Sequence, residues 1–261
     1  MKKLEEESLK PGFWQDNKKA AEVQKEISQI KEEIELIEKI ETGLEEASDL
    51  EKTEKEIERQ EFRTFLSGKY DKGDAIMEIF SGAGGQDAQD WATMLKRMYE
   101  RYCATKGFNA SVLHQSFGEA GGPEGRIGTK SVTIEIKGNY AYGFLKKESG
   151  VHRLVRQSPF NAQKLRQTSF ALVNVLPEIK LDEAEIEIKP EDLKVETFKA
   201  SGPGGQYVNK TESAVRITHI PTGIAVASQT ERLQGKNKDN AMKILLAKLY
   251  QLKEEKKEKE L

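Results

Sequence analysis

Cysteine and histidine are nearly absent from the 261 residues of the chain. The single cysteine, Cys103, excludes an internal disulfide and favours a reducing compartment. The three histidines stand far apart in the sequence, so no Cys/His cluster has the spacing of a zinc site. No Ser-His-Asp order of the kind that hydrolases use stands out. The usual metal and nucleophile chemistries are therefore not indicated, and we expect no cofactor.

Long hydrophobic runs are also missing. No apolar stretch reaches the length of a membrane-spanning helix, and the Lys-rich start lacks the apolar core of a secretion signal. We therefore predict a cytoplasmic protein that makes no membrane contact. Hydrophobic residues make up 36% of the chain and charged residues 33%, which indicates modest cores beneath heavily solvated surfaces.

Positive and negative charges are unevenly distributed along the chain. Residues 1–72 hold 14 Lys/Arg against 20 Asp/Glu, a balance of −6, whereas residues 194–250 hold nine against four, a balance of +5. The formal net charge of the whole chain is only −2. A basic segment in a nearly neutral chain indicates contact with a polyanion in that part of the protein.

Residue patterns predict an α+β protein with three domains. Residues 1–72 should form an N-terminal helical hairpin, because isoleucines recur every three or four positions and a turn is expected at Gly43 and Ser48-Asp49. Residues 73–190 should form a middle α+β domain, and residues 191–261 a smaller α+β domain that carries a long Gly loop.

Within the last two domains, the patterns place individual elements. The middle domain should contain strands at 75–80, 131–138, 140–145 and 169–177, and a helix at 88–102. The last domain should contain a strand at 193–200, a hairpin that turns at 221–223, and a terminal helix from about Asp239 with a frayed end.

The tripeptide Gly-Gly-Gln occurs twice, each time after Ser-Gly-x. The first copy, in SGAGGQDAQDW from Ser81, lies between a predicted strand and a predicted helix. Asp87 is a good N-cap for that helix, and Asp90 lies in its first turn, where anions are favoured. The free N–H groups of the first turn can donate to an acceptor. The alternative is a structural turn that only starts the helix.

The second copy, in SGPGGQYVNKTESAVR, lies in a loop where Gly202, Pro203, Gly204 and Gly205 cannot sustain a helix. Two interpretations remain open: a Gly-rich tip that enters a tight site while basic neighbours dock on RNA phosphates, or a flexible basic loop without chemistry. If the chain hydrolyses anything, backbone donors and a glutamine amide must do it. The basic residues concerned are Lys199, Lys210, Arg216, Arg232, Lys236 and Lys238.

Three stretches resemble the bacterial class I peptide chain release factors, and most of all their release factor 2 branch. The segment from Ser201 to Tyr250 is similar to the peptidyl-tRNA hydrolysis domain, and GVHRLVRQSPF followed by QTSF is similar to the decoding loop. AQDWATMLKRMYERY also matches the family. The likeness extends from Phe13 to about Tyr250.

The resemblance implies a termination factor that accepts UAA and UGA and triggers hydrolysis of peptidyl-tRNA. Gly204, Gly205 and Gln206 would enter the ribosomal peptidyl transferase centre, where the Gln206 N–H stabilises developing charge and its side chain admits water. The ribosome supplies the rest of the active site, so no stand-alone catalysis is expected. The implied partners are ribosomal RNA, the mRNA stop codon, P-site peptidyl-tRNA, a class II release factor GTPase and a methyltransferase that modifies Gln206.

The resemblance also implies which residues read the codon. Gly84 and Asp87 would meet the first base, because a helix N–H can donate to a uracil carbonyl while a carboxylate accepts the uracil N3–H. Gln167 stands where the family has a histidine between the second and third bases. Gln86 falls on a position that the family fills variably. The residues implied to read the second and third bases are Ser158, Pro159, Phe160, Gln167 and Thr168.

Several positions depart from the family pattern. Asp87 stands where the family usually has Glu, and Tyr207 stands where His is common. The family continues past Tyr250 with a segment that returns to the middle domain, and its N-terminal domain is longer, so we expect a fragment or a reduced homologue. Two alternative functions therefore stay open: a codon-independent ribosome-rescue hydrolase and a non-catalytic ribosome-binding homologue.

Overall fold

A computed structural model describes residues 13, 17–46, 51, 53–54, 57, 64–121, 126–179, 188–199 and 212–260. Within these residues the protein is a mixed α+β structure, which confirms the predicted fold class. The chain divides into two compact units, Met1–Ser67 and Gly68–Leu261. The predicted boundary between residues 190 and 191 lies inside the second unit, and the division into three domains stays a prediction.

The first unit contains helix α1, Asn17–Glu46. The predicted turn at Gly43 is wrong, because the helix continues through this residue. A Cβ at Gly43 would lie 2.5 Å from Oγ1 of the buried Thr53, so the glycine allows Thr53 to approach the helix closely. The predicted isoleucine stripe is buried at Ile27 and exposed at Ile37. The second arm of the predicted hairpin falls mainly outside the described residues.

The second unit is built on a five-stranded antiparallel sheet. Because alternate residues of a strand face opposite sides, Ala75, Met77 and Ile79 of the central strand face helix α2, Gln86–Lys106, whereas Ile76 and Glu78 face the other side. The strands, in the spatial order β2-β3-β1-β5-β4, are β1 (Ala75–Ser81), β2 (Asn109–Gly121), β3 (Arg126–Lys137), β4 (Gly150–Gln157) and β5 (Arg166–Pro177).

Three elements of this unit differ from the sequence prediction. The patterns do not predict β2 or β4, and the segment predicted as a strand at 140–145 forms a short helix, α3, Ala141–Leu145. Before α3, Tyr140 has a left-handed φ of 64°. The N–H groups of Tyr142 and Gly143 donate to carbonyls of Gly73 and Asp71, both at 3.1 Å. These contacts with a distant turn outweigh the local strand preference.

The last part of the chain forms a second antiparallel sheet of β6 (Leu193–Phe198), β7 (Ala214–His219) and β8 (Ile224–Ser228). β6 and β7 are paired up to Phe198 and Ala214. The predicted hairpin turn at 221–223 is confirmed between β7 and β8. Helix α4, Gln234–Glu260, begins five residues before the predicted start and continues through the predicted frayed end.

Helix α4 packs against both sheets. Its Ile244 and Leu245 belong to a buried cluster with Ile217 of β7, and Leu113 of β2 completes this cluster. Its Ala247 packs on the face of the first sheet opposite α2. Side chains at the end of β8 and just after it also bond to carbonyls of β2, including Ser228 Oγ to Leu113 O at 2.7 Å. The second sheet is thereby attached to the back of the first.

Candidate nucleic-acid interface

The first Gly-Gly-Gln lies where β1 passes into α2. Gly82 and Ala83 still pair with Phe170 of β5 through two backbone hydrogen bonds of 2.9 Å. Gly84 and Gly85 then have φ angles of 134° and 61°, after which α2 begins. L-residues with a side chain rarely adopt such angles, so the two glycines make the turn into the helix possible.

Gly84 also approaches β5 too closely for a side chain. A Cβ at this position would lie 2.7 Å from Ser169 Oγ and 3.1 Å from Ser169 Cα. At Gly85, a Cβ would meet nothing within 4 Å. Gly84 is therefore required because a side chain has no space there and because of its backbone angle. Gly85 is required by its backbone angle alone.

Asp87 lies in the first turn of α2, and the prediction that it caps the helix is wrong. Gly85 occupies the cap position, and no side chain bonds there. The Asp87 carboxylate instead contacts β4 and the loop after it: Oδ2 accepts from the Ser158 hydroxyl, and Oδ1 accepts from Arg156 Nη2 at 2.9 Å and Nε at 3.2 Å. Asp87 is only 3% exposed, so these donors replace the water that a buried carboxylate loses.

Arg156, near the end of β4, joins two carboxylates of α2. Its Nη2 also donates to Asp90 Oδ2 at 2.6 Å, and its guanidinium carbon lies 6.0 Å from the centre of the Phe160 ring. Burial disfavours the charged guanidinium, but the hydrogen bonds to Asp90 and Asp87 outweigh it and raise the pKa of Arg156. Sequence reasoning missed Arg156, because 69 residues separate it from Asp87 and no local pattern links them.

The loop that follows β4 is held by its own hydrogen bonds. The Ser158 N–H donates to Leu165 O at 3.1 Å, and the Phe160 N–H donates to Ser158 Oγ at 3.2 Å. The Ser158 hydroxyl therefore accepts one hydrogen bond and donates another to Asp87. Ser158 is 2% exposed, and this double role fixes its orientation.

A pocket of about 360 Å³ opens between the start of α2 and this loop. Of the seven residues implied to read a codon, Pro159 and Thr168 do not line it. Both are exposed, and Thr168 is paired with Val155 at the edge of the sheet. The residues that line the pocket are Gly84, Gln86, Asp87, Ser158, Phe160, Asn161, Ala162 and Gln167. The structure thus brings together the first Gly-Gly-Gln and the loop after β4.

The lining of the pocket is suited to the hydrogen-bonding edge of a nucleobase. A carboxylate supplies an acceptor, amide side chains supply both donors and acceptors, and Phe160 supplies an aromatic ring. Among the described residues, no group of three or more His, Cys, Asp or Glu could hold a metal ion. In the same ranges, no helix combines the length and the hydrophobicity needed to cross a bilayer.

The second Gly-Gly-Gln, with Gly204, Gly205, Gln206 and also Lys210, lies outside the described residues. The strands on either side of it are described, and the segment connects β6 to β7. The basic residues Lys199, Arg216, Arg232, Lys236 and Lys238 are all exposed. The guanidinium carbon of Arg216 lies 5.4 Å from the centre of the Phe198 ring, and Lys236 Nζ lies 3.9 Å from a Glu231 oxygen.

Two lysines of the basic segment contact the first sheet instead. Lys243 Nζ lies 2.6 Å from Glu135 Oε1 and 3.1 Å from Glu178 Oε1, and Lys248 Nζ lies 2.9 Å from Glu78 Oε1. Burial acts to raise the pKa of the Glu135 carboxyl, but the hydrogen bonds from Lys243 and Lys137 lower it below its ordinary value. Part of the positive charge of this segment is therefore paired with carboxylates of the protein itself and attaches α4 to the sheet.

Comparisons with known proteins give matches to one group of proteins along nearly the whole chain. The PCRF domain family matches residues 1–173, and the RF-1 domain family matches residues 182–261. Peptide chain release factor 2 of Thermotoga petrophila is 49% identical over 280 residues, which cover all of this chain and 74% of the relative. Peptide chain release factor 2 of Clostridium perfringens is 48% identical over 270 residues. The solved structure of RF2 of Thermus thermophilus matches with a TM-score of 0.72 and 40% identity, over 99% of this chain and 77% of that one.

Proposed function

The chain belongs to the class I peptide chain release factors of the release factor 2 type and is a translation termination factor, and we propose that it recognises UAA and UGA in the ribosomal A site and triggers hydrolysis of peptidyl-tRNA. The observation that carries the proposal is the pocket between α2 and the loop after β4. It unites Asp87 with Ser158 and Phe160, which come from two segments that the resemblance links to one codon.

The first codon base is proposed to meet the turn at Gly84. The glycine lets the backbone approach a base closely, and N–H groups at the helix start can donate to a uracil carbonyl. The Asp87 carboxylate accepts the uracil N3–H. Cytosine presents an acceptor at N3 and a donor at N4, so it meets the wrong partner at both places.

The second and third bases are proposed to meet the loop and the start of β5. The Ser158 hydroxyl can both donate and accept, Pro159 stiffens the loop, and Phe160 offers an apolar face. Gln167 lines the same pocket, and its amide provides a donor and an acceptor for the third base. Thr168 follows it on β5, with its side chain exposed.

Hydrolysis is assigned to Gly204, Gly205 and Gln206. Glycines allow a close approach to the ester, and the backbone N–H of Gln206 is a preorganised donor for negative charge that develops in the transition state. The Gln206 side chain is proposed to admit water and exclude larger nucleophiles. The assignment is supported by the sequence of the loop and by its exposed basic neighbours, which suit the phosphates of ribosomal RNA.

The same proposal implies the partners of the protein and the compartment in which it acts. Its partners are ribosomal RNA, the stop codon and P-site peptidyl-tRNA, with a class II release factor GTPase and a methyltransferase acting on Gln206. A role on translating ribosomes places its work in the cytoplasm. The ester is cleaved within the ribosome, so the isolated chain should not hydrolyse peptidyl-tRNA.

The proposal is tested by peptide release from ribosomes programmed with UAA, UGA, UAG or a sense codon. We expect release on UAA and UGA alone. Gly205→Ala should abolish release while leaving ribosome binding close to that of the unsubstituted chain, because the added methyl group only prevents the close approach to the ester. Equal release on all four codons, or release on ribosomes that lack a codon in the A site, would identify a rescue factor. Binding without release would identify a non-catalytic homologue.

A further inference from the structure

We propose that Arg156 is a positioning residue that sets recognition of the first codon base by fixing the Asp87 carboxylate. The inference rests on the proposed function and concerns a residue outside the implied codon-reading set. Arg156 does not line the pocket, so it acts through Asp87 and not by touching a base. Its three hydrogen bonds to the carboxylates of Asp87 and Asp90 join β4 to the first two turns of α2.

The hydrogen bonds to Asp87 fix its carboxylate plane. Arg156 donates to Oδ1 through two nitrogens, and Ser158 donates to Oδ2 on the opposite side of the group. Each carboxylate oxygen can accept about two hydrogen bonds, so acceptor capacity remains for a ligand. Because hydrogen bonds hold both oxygens, the orientation of the carboxylate toward the pocket is set before a codon arrives. The direction in which it can accept a further hydrogen bond is set with it.

Charge gives a second reason for an arginine at this position. Asp87 and Asp90 are three residues apart on the helix, and their side chains are 4% and 10% exposed. Two buried carboxylates at this spacing repel each other. Within the described ranges, Arg156 is the cation paired with both of them. A lysine would preserve the charge, but its single ammonium cannot reproduce the planar fork that reaches two carboxylates.

Nearby Arg153 provides a matched control. It lies three residues earlier on β4, so its side chain belongs to the opposite face of the sheet, and it is exposed. Arg153→Gln removes the same charge from the same strand without touching Asp87. Arg156→Gln removes the charge and the guanidinium that bonds to Asp87 and Asp90. Arg156→Lys keeps the charge and changes only the hydrogen-bonding geometry.

The experiment measures release against the concentration of the 261-residue chain, on ribosomes programmed with UAA or with CAA. For Arg156→Gln we expect KM on UAA to rise roughly tenfold, discrimination against CAA to fall roughly tenfold, and kcat on UAA to stay within about twofold. Arg156→Lys should lose part of this discrimination, and Arg153→Gln none. Circular dichroism and thermal unfolding establish that each variant is folded.

The outcomes separate the two proposals. Undiminished discrimination in folded Arg156→Gln or Arg156→Lys overturns the role of Arg156 while the proposed function stands. A fall in kcat with KM and discrimination unchanged also overturns it, because a positioning residue for the codon should act on recognition. If the unsubstituted chain releases nothing on UAA, or releases equally on UAA and CAA, the proposed function fails, and the inference fails with it.

Discussion

The Ser158 hydroxyl donates a hydrogen bond to the Asp87 carboxylate across 71 residues of sequence. This contact joins the segment proposed to meet the first codon base to the segment proposed to meet the second. Neither side chain can change its orientation without affecting the other, because both are buried and share one hydrogen bond. The two bases should therefore be read as a coupled pair.

A double-mutant cycle should detect this coupling. We expect Asp87→Asn and Ser158→Ala each to raise KM on UAA, and the double variant to cost less than the sum, with a coupling energy of about 1–2 kcal/mol. The measurement is peptide release against factor concentration for the four proteins of the cycle. Ser111→Ala, in a distant hydrogen bond to Glu135, should combine additively with Asp87→Asn. Additivity in both cycles would mean that Asp87 and Ser158 act independently.

Gly84→Ala should destabilise the second unit. The new methyl group meets Ser169 at 2.7 Å, and φ of 134° is strained for alanine, so the free energy of unfolding should fall by about 1–3 kcal/mol. Urea unfolding followed by circular dichroism measures the change. Gly235→Ala is the control, because a Cβ there meets nothing within 4 Å and the residue lies in the first turn of α4. A similar loss for both variants would show that neither the contact with Ser169 nor the backbone angle of Gly84 is responsible.

Lys243→Met should weaken the attachment of α4 to the first sheet. It leaves the buried Glu135 with two remaining partners among the described residues, Lys137 at 3.0 Å and the Ser111 hydroxyl at 3.1 Å. We expect the free energy of unfolding at about pH 7 to fall by about 1–3 kcal/mol, less than for a fully enclosed pair because Lys243 is partly exposed. Lys238→Met, an exposed position on the same helix, should change little.

The effect of Lys243→Met should also depend on pH. The pKa of Glu135 is lower in the folded protein than in the unfolded chain, so its stabilisation is present above the unfolded pKa and is lost as pH falls through the folded pKa. The difference between the two proteins should therefore shrink as the solution is acidified below about pH 4. Unfolding titrations at a series of pH values test this, and a constant difference would exclude Glu135 as the partner responsible.

Exposed and paired basic residues should differ in their effect on ribosome binding. If Lys199 or Arg232 binds an RNA phosphate, its replacement by Gln should lower the slope of log affinity against log salt concentration by up to about one. Lys248→Gln should leave the slope unchanged, because Lys248 pairs with Glu78 inside the protein. Binding measured at several salt concentrations distinguishes these cases. Equal slopes for all variants would remove Lys199 and Arg232 from the interface.

Local sequence patterns predicted the regular parts of this fold well. β1, with its apolar run between turn residues, and the hairpin at 221–223 are found where the patterns put them. The α+β class is also confirmed. Strands and helices bury residues with different periods, and each period can be recognised within a short stretch of sequence. The resemblance to a family indicated seven codon-reading residues, and all of them except Pro159 and Thr168 line the pocket.

The parts that sequence reasoning missed depend on distant contacts. Asp87 satisfies the local rule for a helix cap, yet its carboxylate bonds to Arg156 and Ser158, which no local rule can anticipate. The segment at 141–145 has too few residues for a helical period to be visible, and bonds to Gly73 and Asp71 decide its form. Arg156 itself carries no signal except its place just before the loop.

The register of β6 and β7 has a geometric consequence. Their last paired residues are Phe198 and Ala214, and Gln206 is eight residues from each of them. Gln206 is therefore the midpoint of the segment that connects the two strands. A segment of this length spans at most about 29 Å when fully extended, so the backbone of Gln206 must lie within about 29 Å of the end of the two strands. Removing residues from either side would shorten the range of Gln206, whereas adding residues to one side alone would not extend it, because the shorter side limits the reach.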